Sequence, residues 1–512
     1  MTQQQYFWIF PNLLHAWFWK DLCRDLTAKT GLRPLFIMAS EEDQKFWRSQ
    51  FGEPLDAEEA ILFDYLGYAL DGGDPSESEI TIADRAAAYE KRHGITFMRD
   101  MVLGDRHIGR GFVLGGQGHP MSPVSKVINQ RIAVQTCLAT ADSFEALAQR
   151  FPPRLMLAGG GGGGVYMKPA CLIASRLGIP FRSLVHARFG DRYLWADSEF
   201  EESETFRTFL EEQSQPNEAE VEYTREHLAP TGLSVVGFAT FRKESRWISI
   251  IKKIVLLYLR YFYGKFRGYR KSRIGVTPTS NAGAIIRQRL DRRKLDKYAT
   301  VRISELPDHM KVVYFPLQTE PEQSLNILSP EHSDQLATTL ELALSLPANA
   351  VLAVKEHPYQ IGRRTSHYYK TISEMPNVVF LNTDEPSIEI IKRADLVAVI
   401  TGSAGYEAAG LGKPVLHFGR HGQALDLPHV YPMTGFSNMQ NIAGILAGDS
   451  ESKQSQRRRD GARYFLALEK FCLDMSDFNA HGRKERPSAT ELSQISESLL
   501  KTLPEQGTAL GR

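Results

Sequence analysis

Short apolar runs that stop abruptly at charge, proline or glycine recur along the chain, and between them apolar positions return every three or four residues. A run of four or five bounded in that way reads as a strand buried on both faces, the signature of a parallel sheet; the wider spacing reads as amphipathic helix. In the second half the alternation is regular. Strand-like runs at 312–315, 351–354, 378–381, 396–400 and 415–418 are interleaved with helical stretches at 333–346, 364–374 and 387–393, after a charged helical stretch at 286–297. Strand, helix and strand repeated in this order predict a parallel, doubly wound sheet. The first half opens the same way, with strands at 6–10 and 35–38 around a helical pattern through Leu13, Leu14, Trp17, Phe18 and Leu22. A helix at 125–150, which Pro152 and Pro153 cannot prolong, is followed by a strand at 155–158, a helix at 166–177 and a strand at 181–185.

Two such series in 512 residues exceed a single hydrophobic core. The expected division is an N-terminal Rossmann-like domain at 1–240, a basic aromatic helical insertion or linker at 241–275, a second Rossmann-like domain at 276–450, and C-terminal helices with a tail at 451–512. In the last part 449–460 reads as a loop or exposed helix, 462–473 as a helix that crosses back to the first domain, and 492–503 as a final amphipathic helix. Between 74 and 123 the patterning weakens and predicts a polar connector or a binding loop.

Basic and acidic residues nearly cancel, and a net charge of +1 argues against general nucleic-acid binding. Cys23, Cys137, Cys171 and Cys472 lie far apart without zinc spacing and read as buried thiols of a reducing cytoplasm. Residues 1–5 lack the basic stretch of a secretory signal, and no uncharged run approaches the ~20 residues of a membrane span. The charge balance fails in one place. From 241 to 273, basic residues including Lys252, Lys253, Arg260, Lys265 and Arg267 face the single acid Glu244, interleaved with Trp247, Ile251, Leu259 and Phe262. That mixture suits either a helix lying in an anionic membrane interface, at about 1 kcal/mol per cation, or a packed insertion with its lysines in water.

Open α/β sheets bind ligands outside the carboxyl ends of their strands. There the run at 351–354 delivers Lys355, Glu356 and His357 before Pro358, and the run at 312–315 delivers Gln318 and Glu320. The run at 396–400 passes into Thr401, Gly402, Ser403, Ala404, Gly405, Tyr406 and Glu407, which continue as helix. Small residues admit a ligand to the backbone, and a helix start favours an anion by about 0.3–2 kcal/mol per charge. Arg363 and Arg364 are either phosphate partners or a solvated pair. In the first half His186, Arg188 and Asp191 lie beyond the strand at 181–185, as substrate-binding groups or as an exposed charged loop. Six glycines at 159–164 satisfy Gly-x-Gly-x-x-Gly trivially, but no acid ends the next strand, and Val165 stands where a phosphate loop needs lysine. The run is a loop facing an interdomain cleft or a turn before a helix. Asp384, Glu385 and Asp395 lack the spacing of a metal cluster, and neither a metal nor a cofactor is expected.

Lys355-Glu356-His357-Pro358, the helix start from Gly402 to Ala409, and Gly412-Lys413-Pro414-Val415 together resemble the nucleotide-sugar half of the bacterial capsule polysaccharide biosynthesis proteins, which are related to the Kdo and sialic acid transferases. The resemblance runs from about 312 to 419. It implies an α/β fold of two Rossmann-like doubly wound domains facing a cleft, of glycosyltransferase-B type, with a basic helical insertion. It further implies a transferase that moves a sugar from a nucleotide-sugar donor, CMP-Kdo-like by preference, onto a capsule or other surface glycan, free or lipid-linked. His357 would bond the donor phosphate, with Glu356 beside it as a catalytic group. Gln318, Glu320, Lys355, Arg363, Thr401, Gly402, Ser403, Gly405 and Glu407 would bind the donor, while His186 and Arg188 would face the acceptor. A cytoplasmic enzyme docked on the inner membrane follows if the basic segment binds lipid. A CDP-glycerol-type polyol-phosphate transferase and a non-catalytic capsule assembly or export protein are the other readings.

Overall fold

The computed structural model describes residues 4–11, 16–39, 60–105, 108–109, 124, 127–160, 163–228, 247–266, 278–320, 322–361, 364–420, 422–433, 441–447, 450–475 and 488–503. Runs without polar alternation need cover on both faces, and they obtain it in two sheets. The first contains β1 (Tyr6–Phe10), β2 (Arg33–Met38), β3 (Ala60–Leu62), β4 (Pro153–Ala158), β5 (Phe181–His186) and β6 (Arg192–Ala196). The second contains β7 (Lys311–Pro316), β8 (Ala350–Lys355), β9 (Val378–Phe380), β10 (Leu396–Val399), β11 (Val415–His417) and β12 (Val430–Pro432). Its order is β12-β11-β10-β7-β8-β9 and every pairing is parallel. The chain moves from β7 to β8 on one side and later returns to β10 on the other. The β7/β10 boundary is therefore the topological switch point, where such sheets leave a crevice.

The first sheet, completed by β13 (Leu473–Asp474), runs β13-β6-β5-β4-β1-β2-β3. It is parallel from β3 to β5, and β6 turns back antiparallel to β5. This hairpin strand was not expected, because its alternating Arg192-Tyr193-Leu194 start carries no continuous apolar run. The weakly patterned region from 74 holds a 15-residue helix, Glu79–His93, rather than only a polar connector. Ser78 caps its start, Gly94 ends it at φ 64°, and Ile82, Ala86 and Tyr89 form its buried face. All four cysteines are free thiols, and burial pushes Cys472 up to about 12.

The helix Glu451–Phe471 leads into β13 on the first sheet, and the helix Ala489–Lys501 buries Ile495 and Leu499 in the cluster that holds Phe7, Phe18 and Trp19. One apolar cluster joins the domains, with Val185, Phe206 and Leu210 from the first packed with Tyr406, Ala409 and Leu427 from the second and Tyr464 from the returning helix. The helix Trp247–Phe266 buries Ile250 and leaves most of its apolar side chains exposed. Among the described residues no helix is long and apolar enough to cross a membrane.

Candidate functional site

The residues that follow β7, β8 and β10 are tied into one rim. Consecutive residues of the β7 loop supply the ties. Gln318 turns its carboxamide to β10: with its oxygen toward the backbone it accepts from the amides of Thr401 (2.6 Å) and Gly402 (3.0 Å), while its nitrogen meets the Thr401 hydroxyl at 2.5 Å. Thr319 turns to β8, its hydroxyl 3.0 Å from Nδ1 of His357. His357 and the start of the helix Ser403–Gly410 are thus each one hydrogen bond from neighbouring residues, at the switch point.

Beneath the rim lies a buried ionic brace. Arg364 donates to Glu356 (3.0 Å), to Glu320 (2.6 Å) and to the Gln318 carbonyl (2.5 Å). Its side chain is 3% exposed and that of Glu356 is 0% exposed, so Arg364 is not the solvated residue its sequence context suggested. Burial works against the charge on Arg364, but Glu320 and Glu356 outweigh it and the guanidinium stays protonated. Glu356 also accepts from the His357 amide at 2.7 Å, which fixes the turn that presents the imidazole. Gln335 closes the brace, accepting from the Gln318 amide at 2.6 Å and donating to its carbonyl at 3.1 Å. Neither Gln335 nor Thr319 stood out in the sequence, because each acts only through hydrogen bonds to a loop distant in sequence.

Lys355 and Glu407 form a second buried layer. Lys355 donates to Ser387 at 3.2 Å, and burial lowers its pKa to about 8 against the pull of Glu385 and Glu407. Burial raises Glu407 from its ordinary 4.5 to about 7, against a Ser403 hydrogen bond and Lys355, and its Oε2 has no hydrogen-bond partner. Gly405 is small for packing: a Cβ there would lie 2.5 Å from Val399 Cγ2 on β10. Gly402 has room, the nearest atom to such a Cβ being 3.5 Å away on Gln318. Arg363 lies outside the described residues.

On the first domain His186 is engaged by its own turn, with Nε2 2.8 Å from the Gly190 carbonyl and Nδ1 accepting from the Arg188 amide at 3.0 Å. Burial and then Arg188 lower its pKa. Arg188 adopts φ 61° and pairs with Glu201 at 3.1 Å, and its Nε has no hydrogen-bond partner. Burial opposes its charge, but Glu201 and then Tyr406 raise its pKa, so Arg188 stands within electrostatic reach of the second domain's helix Ser403–Gly410. Lys168 and Glu199, which no motif marked, make a further ion pair in which Glu199 Oε2 has no partner. Among the described residues no three His, Cys, Asp or Glu groups are placed to hold a metal ion. A cavity of about 830 Å3 lies along β6, lined by Trp195, Phe209, Phe471 and Leu503, and no candidate residue borders it.

Two Rossmann-like domains whose carboxyl edges meet, with late helices returning to the first, make the glycosyltransferase-B architecture, and this chain has it. Residues 251–443 match the family model described as capsule polysaccharide biosynthesis protein, which bears out the resemblance read at Lys355–Pro358, Gly402–Ala409 and Gly412–Val415. Among solved structures, "Thermosulfurimonas dismutans KpsC, beta Kdo 2,7 transferase" matches at 15% identity and a TM-score of 0.28, over 59% of this chain and 80% of that one. The S. aureus MnaA–UDP structure matches at 12% and 0.27, over 95% and 99%. The Neisseria meningitidis UDP-GlcNAc 2-epimerase bound to UDP-GlcNAc matches at 11% and 0.25, over 97% and 100%. No curated protein matches this chain.

Proposed function

We propose that the protein is a glycosyltransferase that moves a sugar from a nucleotide-activated donor, CMP-Kdo-like by preference, onto a capsule or other surface glycan. The observation that carries this reading is the rim itself: Gln318 and Thr319, adjacent in sequence, join the helix start at Thr401–Gly402 to the imidazole of His357. Since Gln318 already occupies the amides of Thr401 and Gly402, the donor phosphate meets the next turn, at Ser403 and Ala404. There the helix end favours an anion by about 0.3–1 kcal/mol. His357 donates to a phosphate oxygen and stabilises the charge that grows as the sugar–phosphate bond breaks. Glu407, near half protonation at pH 7, both accepts from and donates to ribose hydroxyls. Lys355 adds positive potential from below. Glu356 and Glu320 act through Arg364 as positioning groups, and Arg188 faces the same space from the acceptor side.

Thermal-shift titration with CMP, CMP-Kdo, CDP-glycerol and UDP tests the reading, since a ligand at a hundred times its Kd adds about 2.7 kcal/mol. CMP or its sugar should give the shift. His357→Ala should keep the wild-type Tm and lose at least about tenfold in transfer; undiminished turnover removes the role of His357. Preference for CDP-glycerol would indicate polyol-phosphate transfer, and nucleotide binding without product from any donor would indicate an assembly or export protein.

The same reading places the enzyme on the cytoplasmic face of the membrane. The helix Trp247–Phe266 has no acidic residue, and it exposes Ile248, Ile251, Val255, Leu259, Phe262 and Phe266 as one stripe beside Lys252, Lys253, Arg260 and Lys265. An apolar stripe flanked by cations complements anionic lipid, at about 1 kcal/mol per cation. Changing those four cations to Glu should end flotation with phosphatidylglycerol liposomes, and persistent flotation would remove the membrane location while leaving the transfer reading in place.

A further inference from the structure

Gly163, in the glycine run, and Gly104 find their reason in the opposite domain. Gly163 has φ 174°, extended backbone that any residue adopts, so conformational freedom is not why glycine stands there. Clearance is. A Cβ on Gly163 would lie 2.8 Å from both Cγ1 and Cγ2 of Ile327 and closer still to its Cδ1, and a Cβ on Gly104 would lie 2.8 Å from Ile327 Cγ1. Carbon atoms settle about 3.5–4.0 Å apart, so neither position admits a methyl group while Ile327 keeps its place. Gly164, at φ 68°, closes the socket by bringing the backbone of the run against Gly104 and Asp105, where a Cβ would meet atoms at 3.4 Å.

Ile327 is held as firmly as the socket is shaped. Its helix, Gln323–Leu328, begins three residues after Glu320 of the donor rim and buries Leu325 and Leu328. Arg420 donates its amide to the Leu328 carbonyl at 2.9 Å, and Ser329 donates to the Phe418 carbonyl at 3.2 Å. The same short segment therefore carries both the rim residues and the side chain that enters the first domain.

We propose that Ile327 is a positioning residue for transfer: seated between Gly104 and Gly163, it sets the spacing at which the first domain's carboxyl edge, with Arg188, meets the donor rim. The proposal rests on the rim being the donor site, but the socket can be tested without a donor. Gly163→Ala should unseat Ile327 and raise hydrogen–deuterium exchange in 323–328, and adding Ile327→Ala should return it toward the wild-type level because the new methyl group then has room. With CMP-Kdo, Gly163→Ala should lower kcat by up to about a hundredfold, the loss a 1 Å misplacement can cause, while CMP affinity stays within about twofold. The double variant should recover most of that rate, which a fold merely weakened by two substitutions would not do. Wild-type kcat in Gly163→Ala, equal losses in kcat and CMP affinity, or a double variant no better than the single overturns the proposal. If wild-type protein transfers from no donor, the functional reading falls instead, and unchanged exchange in 323–328 of Gly163→Ala still overturns the socket.

Discussion

The two domains present their carboxyl edges in opposite ways. On the second, side chains bonded to one another form the edge, with Arg364 bridging Glu320 and Glu356, Gln318 reaching Thr401, and Thr319 reaching His357. On the first, the backbone shapes it: glycines clear Ile327, and Arg188 and Glu201, the two non-glycine residues with positive φ among those described, pair with each other in their turns. Left-handed backbone at such residues costs about 1–3 kcal/mol and persists only where the surroundings impose it. An edge whose polar groups are satisfied in advance holds a ligand without rearranging, which suits stabilisation of a leaving phosphate. An edge cut for clearance is made to be brought against something.

If that contrast is real, substitutions on the second edge cost folding stability and those on the first cost alignment. The largest effect should come from Arg364→Ala, which leaves two buried carboxylates without their cation and should lower unfolding free energy in urea by about 3–5 kcal/mol. Arg188→Gln breaks a single pair whose side chains are 28% and 17% exposed, and it should cost clearly less than Arg364→Ala in the same assay. Equal losses would erase the distinction. Gly405→Ala comes next, at about 1–3 kcal/mol, because its methyl group meets Val399 in a packed layer; a neutral result would show that the helix Ser403–Gly410 can lift from β10. A last effect sharpens the comparison through pH. Glu407 titrates near 7 when folded against an ordinary 4.5, so the folded protein keeps a proton that the unfolded chain releases. Its contribution to stability is complete below about 4.5 and is lost as pH rises through 7. Tm should accordingly fall across that window more in wild type than in Glu407→Gln, and parallel curves would mean the carboxyl is not buried as described.

The second domain was largely legible because its strands are buried on both faces and so appear as unbroken apolar runs. The run read at 312–315 is β7 (Lys311–Pro316), and the one at 396–400 is β10 (Leu396–Val399). The helix read at 387–393 is Ser387–Arg393. Short or half-exposed strands such as β6 and β12 carry no such run and were missed. Candidate residues at strand ends could be listed from topology, yet their orientation could not. Glu356 and His357 are neighbours, and one is sealed against Arg364 while the other faces Thr319, a difference decided by Gln335 and Arg364 from other parts of the chain. Gly163 in the glycine run was ambiguous for the same reason, since its partner, Ile327, lies more than 150 positions away.

The helix Ala489–Lys501 packs in the cluster that holds Phe7 of β1, and β13 forms an edge of the sheet to which β1 belongs. The first domain therefore keeps part of the surface around Trp19 uncovered until that late helix docks, whereas the second domain needs nothing beyond β12 to complete its sheet. Loss of the helix Ala489–Lys501 should thus open the core of the first domain while leaving the second domain's sheet whole.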